Sequence, residues 1–372
     1  TGKDKYEFEK PIPSHTEGIK AVLDLLVDAQ WGVLASLSQI QAVGHRVAHG
    51  GETFPVSRLV DEQVIKGIED LCELAPLHNP ANLLGIRAVE HLMPEIPQVA
   101  VFDTSFHQSI PAVNYLYALP YEYYEKYRVR RYGFHGTSHM YVSKRAASML
   151  NKPANECNLI TMHIGSGASA TAIRNGISVD TSLGMTPLAG LTMGTRPGDL
   201  DPGVVLYVME QLQLSPAQMQ THLSKDSGLK GITECFVDRR DVEENKSTND
   251  LCRLAIDTEV HNVKKYIGAY MSELGHVDAI IFTAGVGEND DYLREKFCTG
   301  LEELGIKLDV EKNAKSLARL GVDETEISTP DSKVKIFMIP TNEELVIVED
   351  TLAIMNGTYN PNHLEMDYSF AK

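Results

Sequence analysis

Apolar positions recur along this chain on two different periods. Recurrence every three or four residues predicts helices, which cover residues 15–29, 61–74, 80–93, 137–150, 202–213 and 248–274. Ser14 and Glu17 have the spacing of a capping box for the first helix, and Pro80 suits the first position of the third. Short apolar runs within 40–54, 97–107 and 277–290 predict strands, and 333–355 predicts a strand, a turn and a closing helix. Strands that alternate with helices predict an α/β fold with helices covering a sheet.

The stretch HIGSGASATAIRNG, residues 163–176, has no large side chain at its centre. Its glycines fit the spacing of a dinucleotide-binding turn, with Ala170 in the last place, but such a turn requires a helix directly afterwards. The following residues instead alternate with a period near two, and Asn175-Gly176 is a strong hairpin signal. The sequence therefore predicts a three-stranded meander. Its Gly/Ser turn is either an anion-binding concavity of backbone amides or an ordinary hairpin, and the stretch alone favours neither.

Composition and charge exclude several classes of protein. The chain has 372 residues, enough for about two domains, and a boundary is predicted near 150–157. No apolar run reaches the roughly 18 residues of a membrane helix, and the opening TGKDKYEFEK has no signal-peptide core. A net charge of −17 without a basic tract argues against nucleic acid and membrane surfaces as partners. Five scattered cysteines argue against a disulfide framework and indicate a reducing compartment.

Several polar residues fall where an apolar run meets a glycine-rich turn, which is where ligands collect in α/β sheets. The residues at such positions include Arg46, Asp103, His135 and Arg196. The segments GVGEN and TNEE also follow apolar runs in this way. Singly, each residue has an ordinary explanation, such as a core histidine or a surface ion pair. Together, two arginines in glycine-flanked turns suit a planar anion. The histidine and carboxylates beside them indicate Mg²⁺ and a transferring phosphoryl group.

Other phosphate-binding and metal-binding motifs would imply a different function. The sequence contains neither a P-loop nor the protein-kinase motif set. His45/His49 and His135/His139 have the spacing of zinc ligands on a helix, so a metal hydrolase is a competing hypothesis. However, the residues around His45 predict a strand, and neither pair encloses the acid that a zinc protease uses.

A series of long motifs resembles the acetate kinase family and occurs in the family's order: GHRVAHGGE, LAPLHNPAN, FDTSFH, YGFHGTSH, HIGSGAS, DTSLGMTPLAGL with MGTRPGDLDPG, AGVGEN and PTNEE. The resemblance spans about 40–353. It implies an actin-like, sugar-kinase-type phosphotransferase. Two duplicated α/β domains, 1–150 and 151–372, would have mixed sheets flanked by helices and a cleft between them.

The resemblance also implies roles for single residues. Asp103, His135 and Arg196 match the catalytic set, in which the arginine and histidine stabilise the transferring phosphoryl group. Arg46 matches the arginine that holds the carboxylate substrate, and Glu343 the glutamate linked to the metal ion. The positions that shape the substrate pocket would be 47–49 (with Ala48), Leu77, His78, Phe134 and Pro187. The nucleotide contacts would be His163, Ile164, Gly165, Ser166, Gly167, Asp238, Arg239, Arg240, Gly285, Val286, Gly287, Glu288 and Asn289.

The implied reaction is the reversible, direct in-line transfer of the ATP γ-phosphoryl group to acetate, giving acetyl phosphate and ADP. Mg²⁺ or Mn²⁺ would be the cofactor, and the enzyme would be a cytoplasmic homodimer. Ser166 and Pro197 stand where the family usually has Asn and Ser or Cys. Ala48 stands where a bulkier Val is common, so propionate is the second candidate substrate.

The opening of the sequence gives an alternative function. Family members begin with a strand, a Gly-Ser-Ser-Ser turn and a lysine, which form the first domain's phosphate hairpin. TGKDKYEFEK is preceded by no such segment in this sequence. Either this segment lies before the first residue of this sequence, which the need for the domain's central strands favours, or the chain is short and the alternative function is a nucleotide-binding protein impaired in catalysis.

Overall fold

The computed structural model describes residues 10–372, so only the last residue of the opening TGKDKYEFEK lies within the described part. The chain divides into two compact units. The first ends at Phe102 and takes in Ile347–Tyr359, and the second comprises Asp103–Val346 and Asn360–Lys372. The duplicated domains expected from the sequence have another boundary, between 150 and 151, which stays a prediction. Every helix in the described part is too short or too polar to cross a lipid bilayer.

The first unit contains a small mixed sheet of order β1-β3-β2. Its strands are β1 (Val43–Val47), β2 (Arg58–Leu59) and β3 (Gln98–Phe102), and its helices are α1 (His15–Leu26), α2 (Glu62–Asp70) and α3 (Asn79–Leu92). Strand β3 is buried along its whole length and pairs in parallel with β1 and antiparallel with β2. The Ser14 hydroxyl caps α1 by accepting a bond from the Glu17 N–H. Helix α3 begins at Asn79, so Pro80 takes its second position and not the first.

The second unit contains a mixed sheet of six strands in the order β6-β5-β4-β7-β9-β8. The strands are β4 (Leu159–Ile164), β5 (Ala168–Arg174), β6 (Ile177–Thr181), β7 (Ala279–Thr283), β8 (Thr325–Glu326) and β9 (Lys335–Met338). Strands β4, β7 and β9 are parallel neighbours, and the remaining pairings are antiparallel. β4 and β7 are buried at every position, as expected for central strands covered on both faces.

Helices and short 3₁₀ turns complete the described chain. The remaining helices are α4 (Ala112–Tyr115), α5 (Tyr121–Tyr127), α6 (Gly136–Met149), α7 (Pro202–Leu212), α8 (Pro216–Lys225), α9 (Gly228–Thr233), α10 (Arg239–Asn245), α11 (Asp250–Leu274), α12 (Ala284–Asn289), α13 (Asp291–Cys298), α14 (Val310–Lys315) and α15 (Glu343–Asn356). The 3₁₀ turns are Leu37–Gln39, Ser105–Ser109, Ala154–Glu156, Glu302–Leu304, Ala318–Leu320 and Ser369–Ala371. The long helix α11 contributes Ile256, Val263 and Ile267 to the core of the second unit.

The predicted α/β class is confirmed: both sheets are mixed and have helices against them. The predicted meander is confirmed as β4, β5 and β6, and Asn175 and Gly176 turn the chain with φ of 51° and 78°. The segment after β7 differs from a simple glycine-rich turn. Ala284, with φ of 65°, redirects the chain, and the glycines that follow form the short helix α12.

Candidate active site

Three parallel strands of the second unit end in segments that the sequence singled out. Strand β4 ends before the turn at Gly165, β7 leads into α12, and β9 leads into the turn before Glu343. Because β4, β7 and β9 are neighbours in the sheet, their carboxyl ends share one edge. This edge is where ligands bind in sheets of this type.

Gly167 is the point at which two predicted catalytic side chains converge. A β-carbon on this glycine would lie 2.7 Å from Arg196 Nη2 and 3.5 Å from His135 Nε2. Arg196 is held from its other side, because its Nη1 donates to the Pro187 carbonyl at 2.8 Å. Pro187, predicted to shape the substrate pocket, therefore also positions the arginine.

The Arg196 guanidinium is well placed to receive an anion. Burial lowers its pKa, but an arginine remains a cation at neutral pH. Among the described residues, no carboxylate forms an ion pair with it. A partly buried cation without a carboxylate partner gains most from a phosphoryl or carboxylate ligand.

His135 precedes helix α6 in the left-handed conformation, with φ of 57°. The next residue, Gly136, donates its N–H to the Asp103 carbonyl at 2.8 Å, and a β-carbon there would lie 2.3 Å from the same oxygen. The turn after β3 and the start of α6 are thus packed backbone to backbone. This contact brings the predicted residues Asp103 and His135 together, although they are far apart in sequence.

The His135 ring is held by a hydrogen bond and by stacking on a second histidine ring. Its Nδ1 lies 2.8 Å from Ser169 Oγ on β5, and the ring stacks on that of His163 with centroids 4.1 Å apart. His163 Nδ1 in turn lies 2.8 Å from Ser138 Oγ, which accepts a bond from Thr341 Oγ1 at 2.9 Å. His163 was among the residues predicted from the sequence, but the hydroxyls were not. A serine within the apolar run of β5 could have marked Ser169 as a candidate, although not the ring that it contacts.

Glu343 lies at the start of α15 and beside the first turn of α6. Thr137 Oγ1 donates to its carboxylate at 3.1 Å. The turn at Thr341 and the start of α15 are therefore tied to the same helix end that follows His135. Asp103, His135, Arg196 and Glu343 thus all belong to one connected region of the second unit.

A cavity of about 790 Å³ brings the three predicted nucleotide segments together. Its lining includes Gly165 and Ser166 from the β4–β5 turn, residues 238–240 at the start of α10, and Gly285, Val286 and Asn289 of α12. The volume falls within the range of small-molecule sites. Gly165 N–H also donates to the Gly167 carbonyl, which keeps the turn tight.

Three of the residues predicted to contact the nucleotide also form ion pairs within the protein. Arg239 Nε donates to Glu259 at 2.8 Å, and both side chains are buried. Burial raises the pKa of Glu259, although the arginine beside it acts in the opposite direction. The Asp238 carboxylate accepts bonds from exposed Arg240, which lowers the pKa of Asp238 to about 2.

Gly287 and Glu288 of α12 face the protein interior. The Gly287 carbonyl accepts a bond from buried Arg294, and the Glu288 carboxylate accepts bonds from the Ala284 and Thr341 N–H groups at 2.7 and 3.0 Å. Glu288 therefore joins the end of β7 to the turn that precedes Glu343.

The predicted substrate residues of the first unit are Arg46, Ala48, Leu77 and His78. Arg46 lies on β1 with an exposed side chain, and Ala48 N–H donates to Asn82 Oδ1 at 3.0 Å. Leu77 and His78 are exposed just before α3. Phe134 belongs to the second unit, where it is buried and its carbonyl lies 2.9 Å from His107 Nε2.

The geometry does not support the zinc hypothesis. His45 lies on a strand and bonds to Gln98, while both ring nitrogens of His139 are engaged by Thr161 and Ser169. Within residues 10–372, no group of three or more His, Cys, Asp or Glu side chains is placed to hold a metal ion.

The chain is similar to known proteins over most of its length. The model of the acetokinase family matches residues 1–349. An acetate kinase of Geobacter sulfurreducens is 53% identical over 372 residues, which are 100% of this chain and 88% of that protein. The crystal structure of Porphyromonas gingivalis acetate kinase has a TM-score of 0.88 at 46% identity, covering 93% of this chain and 86% of that one. A propionate kinase structure from Francisella tularensis has a TM-score of 0.84 at 41% identity, covering 91% and 84%.

Proposed function

The chain belongs to the acetokinase family, and from this premise we propose that it reversibly transfers the γ-phosphoryl group of ATP to acetate, giving acetyl phosphate and ADP. The observation that carries the proposal is the convergence of His135 and Arg196 on Gly167. This glycine directly follows the two residues through which the β4–β5 turn lines the cavity. The cavity takes the nucleotide, and the two side chains meet the phosphoryl group at its edge.

The chemistry requires charge and alignment more than proton transfer. A carboxylate is already ionised at neutral pH, so it attacks phosphorus without a general base. The barrier comes from repulsion between two anions and from the need to hold them in line. Arg196 and His135 supply hydrogen-bond donors, and Arg196 supplies positive charge, where the equatorial oxygens develop charge. Asp103 has an orienting role, supported by its position against the start of α6.

Arg46 is the proposed partner of the acetate carboxylate. It is exposed on β1, and a guanidinium holds a carboxylate with two parallel hydrogen bonds. Ala48, Leu77 and His78 of the first unit, and Phe134 and Pro187 of the second, are each proposed to contact the acyl group. Ala48 is the smallest of them, which supports propionate as a second substrate.

Glu343 is the residue proposed to hold Mg²⁺ (or Mn²⁺). Its carboxylate is half-buried and oriented by the Thr137 hydroxyl. Mg²⁺ prefers oxygen ligands and usually takes only one or two carboxylates beside waters and substrate phosphates, so a single glutamate fits. When bound, the ion neutralises phosphate charge.

The proposed assembly is a homodimer that uses helix α7. No residue of α7 is buried, and Leu206, Tyr207 and Leu212 are 69%, 63% and 60% exposed. Several large apolar side chains exposed on one helix are typical of an interaction surface. All five cysteines are free thiols, which supports a reducing, cytoplasmic location.

Hydroxylamine trapping of acyl phosphate tests the reaction. With MgATP we expect product from acetate first and propionate second, and least from butyrate. His135→Ala serves as the negative control, because it removes a proposed catalytic ring. Nucleotide binding without any trapped product would instead support the alternative of a binding protein impaired in catalysis.

A further inference from the structure

Ser169 lies between two histidine rings that belong to the same helix region. Its Oγ is 2.8 Å from His135 Nδ1 and 2.7 Å from His139 Nε2. The other nitrogen of His139, Nδ1, is 2.7 Å from Thr161 Oγ1 on β4. Ser169, His139 and Thr161 are fully buried, so the four groups form a continuous hydrogen-bonded chain that ends at the site.

The number of protons in this chain restricts its direction. A serine hydroxyl carries one proton, and among the described residues the two rings are the only acceptors that Ser169 Oγ meets, so it donates to one ring and accepts from the other. A neutral histidine likewise donates from one nitrogen and accepts at the other. His139 is neutral, because complete burial lowers its pKa well below the ordinary value, with His107 and His163 acting in the same direction. All bonds of the chain therefore point either towards His135 or away from it.

Thr161 decides between the two directions. If the chain pointed away from His135, His139 Nδ1–H would donate to Thr161, whose own buried proton would need another acceptor. Among the described residues, Thr161 Oγ1 has no hydrogen-bond partner except His139. If the chain points towards His135, the Thr161 proton is used by His139 and no donor is left over. A buried donor without an acceptor is costly, so the second direction is favoured.

We propose that Ser169 is a positioning residue that donates to His135 Nδ1 and so holds His135 as the neutral tautomer with its proton on Nε2. Nε2 is the nitrogen that lies near Gly167 and Arg196. On the proposed function, His135 then meets the phosphoryl group as an oriented hydrogen-bond donor, while Arg196 supplies the positive charge. The titratable groups that face His135 include His163, which stacks on its ring, His139, which is linked to it through Ser169, and Arg196, which approaches the same point beside Gly167.

Nitrogen-15 NMR of histidine-labelled protein tests the tautomer without relying on activity. An unprotonated ring nitrogen resonates far from a protonated one, and His135→Gln assigns the signal. At pH 7, in the free enzyme, we expect His135 with Nδ1 unprotonated and Nε2 protonated. A His135 ring protonated at both nitrogens, or at Nδ1 alone, would overturn the proposal. This result would stand even if no acyl phosphate were formed, so it is separate from a failure of the proposed function.

Three variants test the chain itself. Ser169→Ala should move the His135 signal towards a mixture of tautomers, and Ser169→Thr, which keeps the hydroxyl, should restore it. Thr161→Val is nearly isosteric and does not touch His135, yet it should also produce a mixture, because it removes the donor at the head of the chain. Thr171→Val is the matched control: Thr171 is a buried hydroxyl two residues along β5 that bonds to Thr181. It should leave the His135 signal unchanged.

Kinetics give a second readout. Ser169→Ala should lower kcat by roughly 10-fold to 100-fold, comparable to losing the outer partner of a metal-ligating histidine. KM for acetate and ATP should change little, because the serine touches neither substrate. An unchanged His135 signal in both Ser169→Ala and Thr161→Val would show that the chain does not set the tautomer.

Discussion

Arg196 and Gly167 are in such close contact that the guanidinium occupies the space of a side chain at position 167. A β-carbon there would lie 2.7 Å from Arg196 Nη2, closer than real β-carbons come to other atoms. The glycine is therefore required by the arginine and not by its own backbone, since its φ is outside the left-handed region.

Gly167→Ala should consequently displace Arg196 and lower kcat by about 100-fold, the loss expected from an error of about 1 Å at a reacting centre. Gly165→Ala is the comparison from the same turn: its β-carbon would meet its nearest neighbour at 3.4 Å, and because Gly165 lines the cavity, this variant should change the KM for ATP more than kcat. Steady-state kinetics of both variants check this. Equal losses would show that the turn, and not the arginine contact, is sensitive.

Substitutions of Arg46 and Arg196 should change different kinetic constants. Arg46→Ala should raise the KM for acetate by about 10-fold to 100-fold, the worth of hydrogen bonds to a charged group. Arg196→Ala should lower kcat by about 100-fold to 1,000-fold, because it removes a donor used at the transition state. Initial rates over a range of acetate concentrations distinguish the two effects. A kcat defect in Arg46→Ala with an unchanged KM would contradict the assigned roles.

Ala48 should control acyl length. Ala48→Val should reduce kcat/KM for propionate relative to acetate, by no more than the roughly 10-fold to 200-fold that one methylene is worth. Ala48→Gly should shift the ratio in the opposite direction. Competition between the two acids in the trapping assay measures this ratio directly. An unaltered ratio in both variants would remove Ala48 from the acyl pocket.

His107 should make stability depend on pH. Burial lowers the pKa of His107 to about 4, while an unfolded histidine titrates near 6.5. Between these values the unfolded state binds more protons, so the free energy of unfolding falls as the pH drops from about 6.5 to 4. The loss is at most about 1.4 kcal/mol per pH unit for this group.

Urea unfolding followed by circular dichroism at pH 5 and pH 7 tests this contribution. His107→Gln should lose less stability between the two pH values than the parent protein. The exposed His261 provides the control variant, His261→Gln, which should retain the parent's full difference. Identical pH dependence in all three proteins would mean that His107 is not held neutral by burial.

Leu206 should contribute to the dimer. Leu206→Glu places a charge among the exposed apolar side chains of α7 and should convert the proposed homodimer to monomers without loss of helix content. Val310→Glu, on α14 with the wild-type residue 53% exposed, is a matched surface change. Light scattering after size exclusion measures the mass. A dimeric Leu206→Glu protein would place the interface elsewhere.

Local patterns in the sequence predicted the elements that depend on local physics. The meander followed from the period of two and from Asn175-Gly176, which favours the positive φ that the turn adopts. Helix α12 was not predicted, because Gly285 and Gly287 are poor helix formers and part of the helix's support comes from outside it, where Thr341 N–H donates to Glu288.

The sequence predicted the site residues that lie beside glycines in recognisable motifs, such as His135 and Arg196. It did not predict the hydroxyls that support them. Ser169 contacts a ring 34 positions away, and Arg239 pairs with a glutamate 20 positions away. Contacts of this kind depend on how strands and helices pack, and a single sequence carries no periodic signal for them.

The Glu288 carboxylate links two backbone segments of the candidate site. One carboxylate receives the N–H of Ala284, at the entrance to the helix that lines the cavity, and the N–H of Thr341, at the turn before Glu343. Both bonds end on the same oxygen, Oε1, so shortening this side chain to aspartate would withdraw the acceptor from both N–H groups. A substitution that moves either backbone segment therefore acts on the other through one carboxylate oxygen.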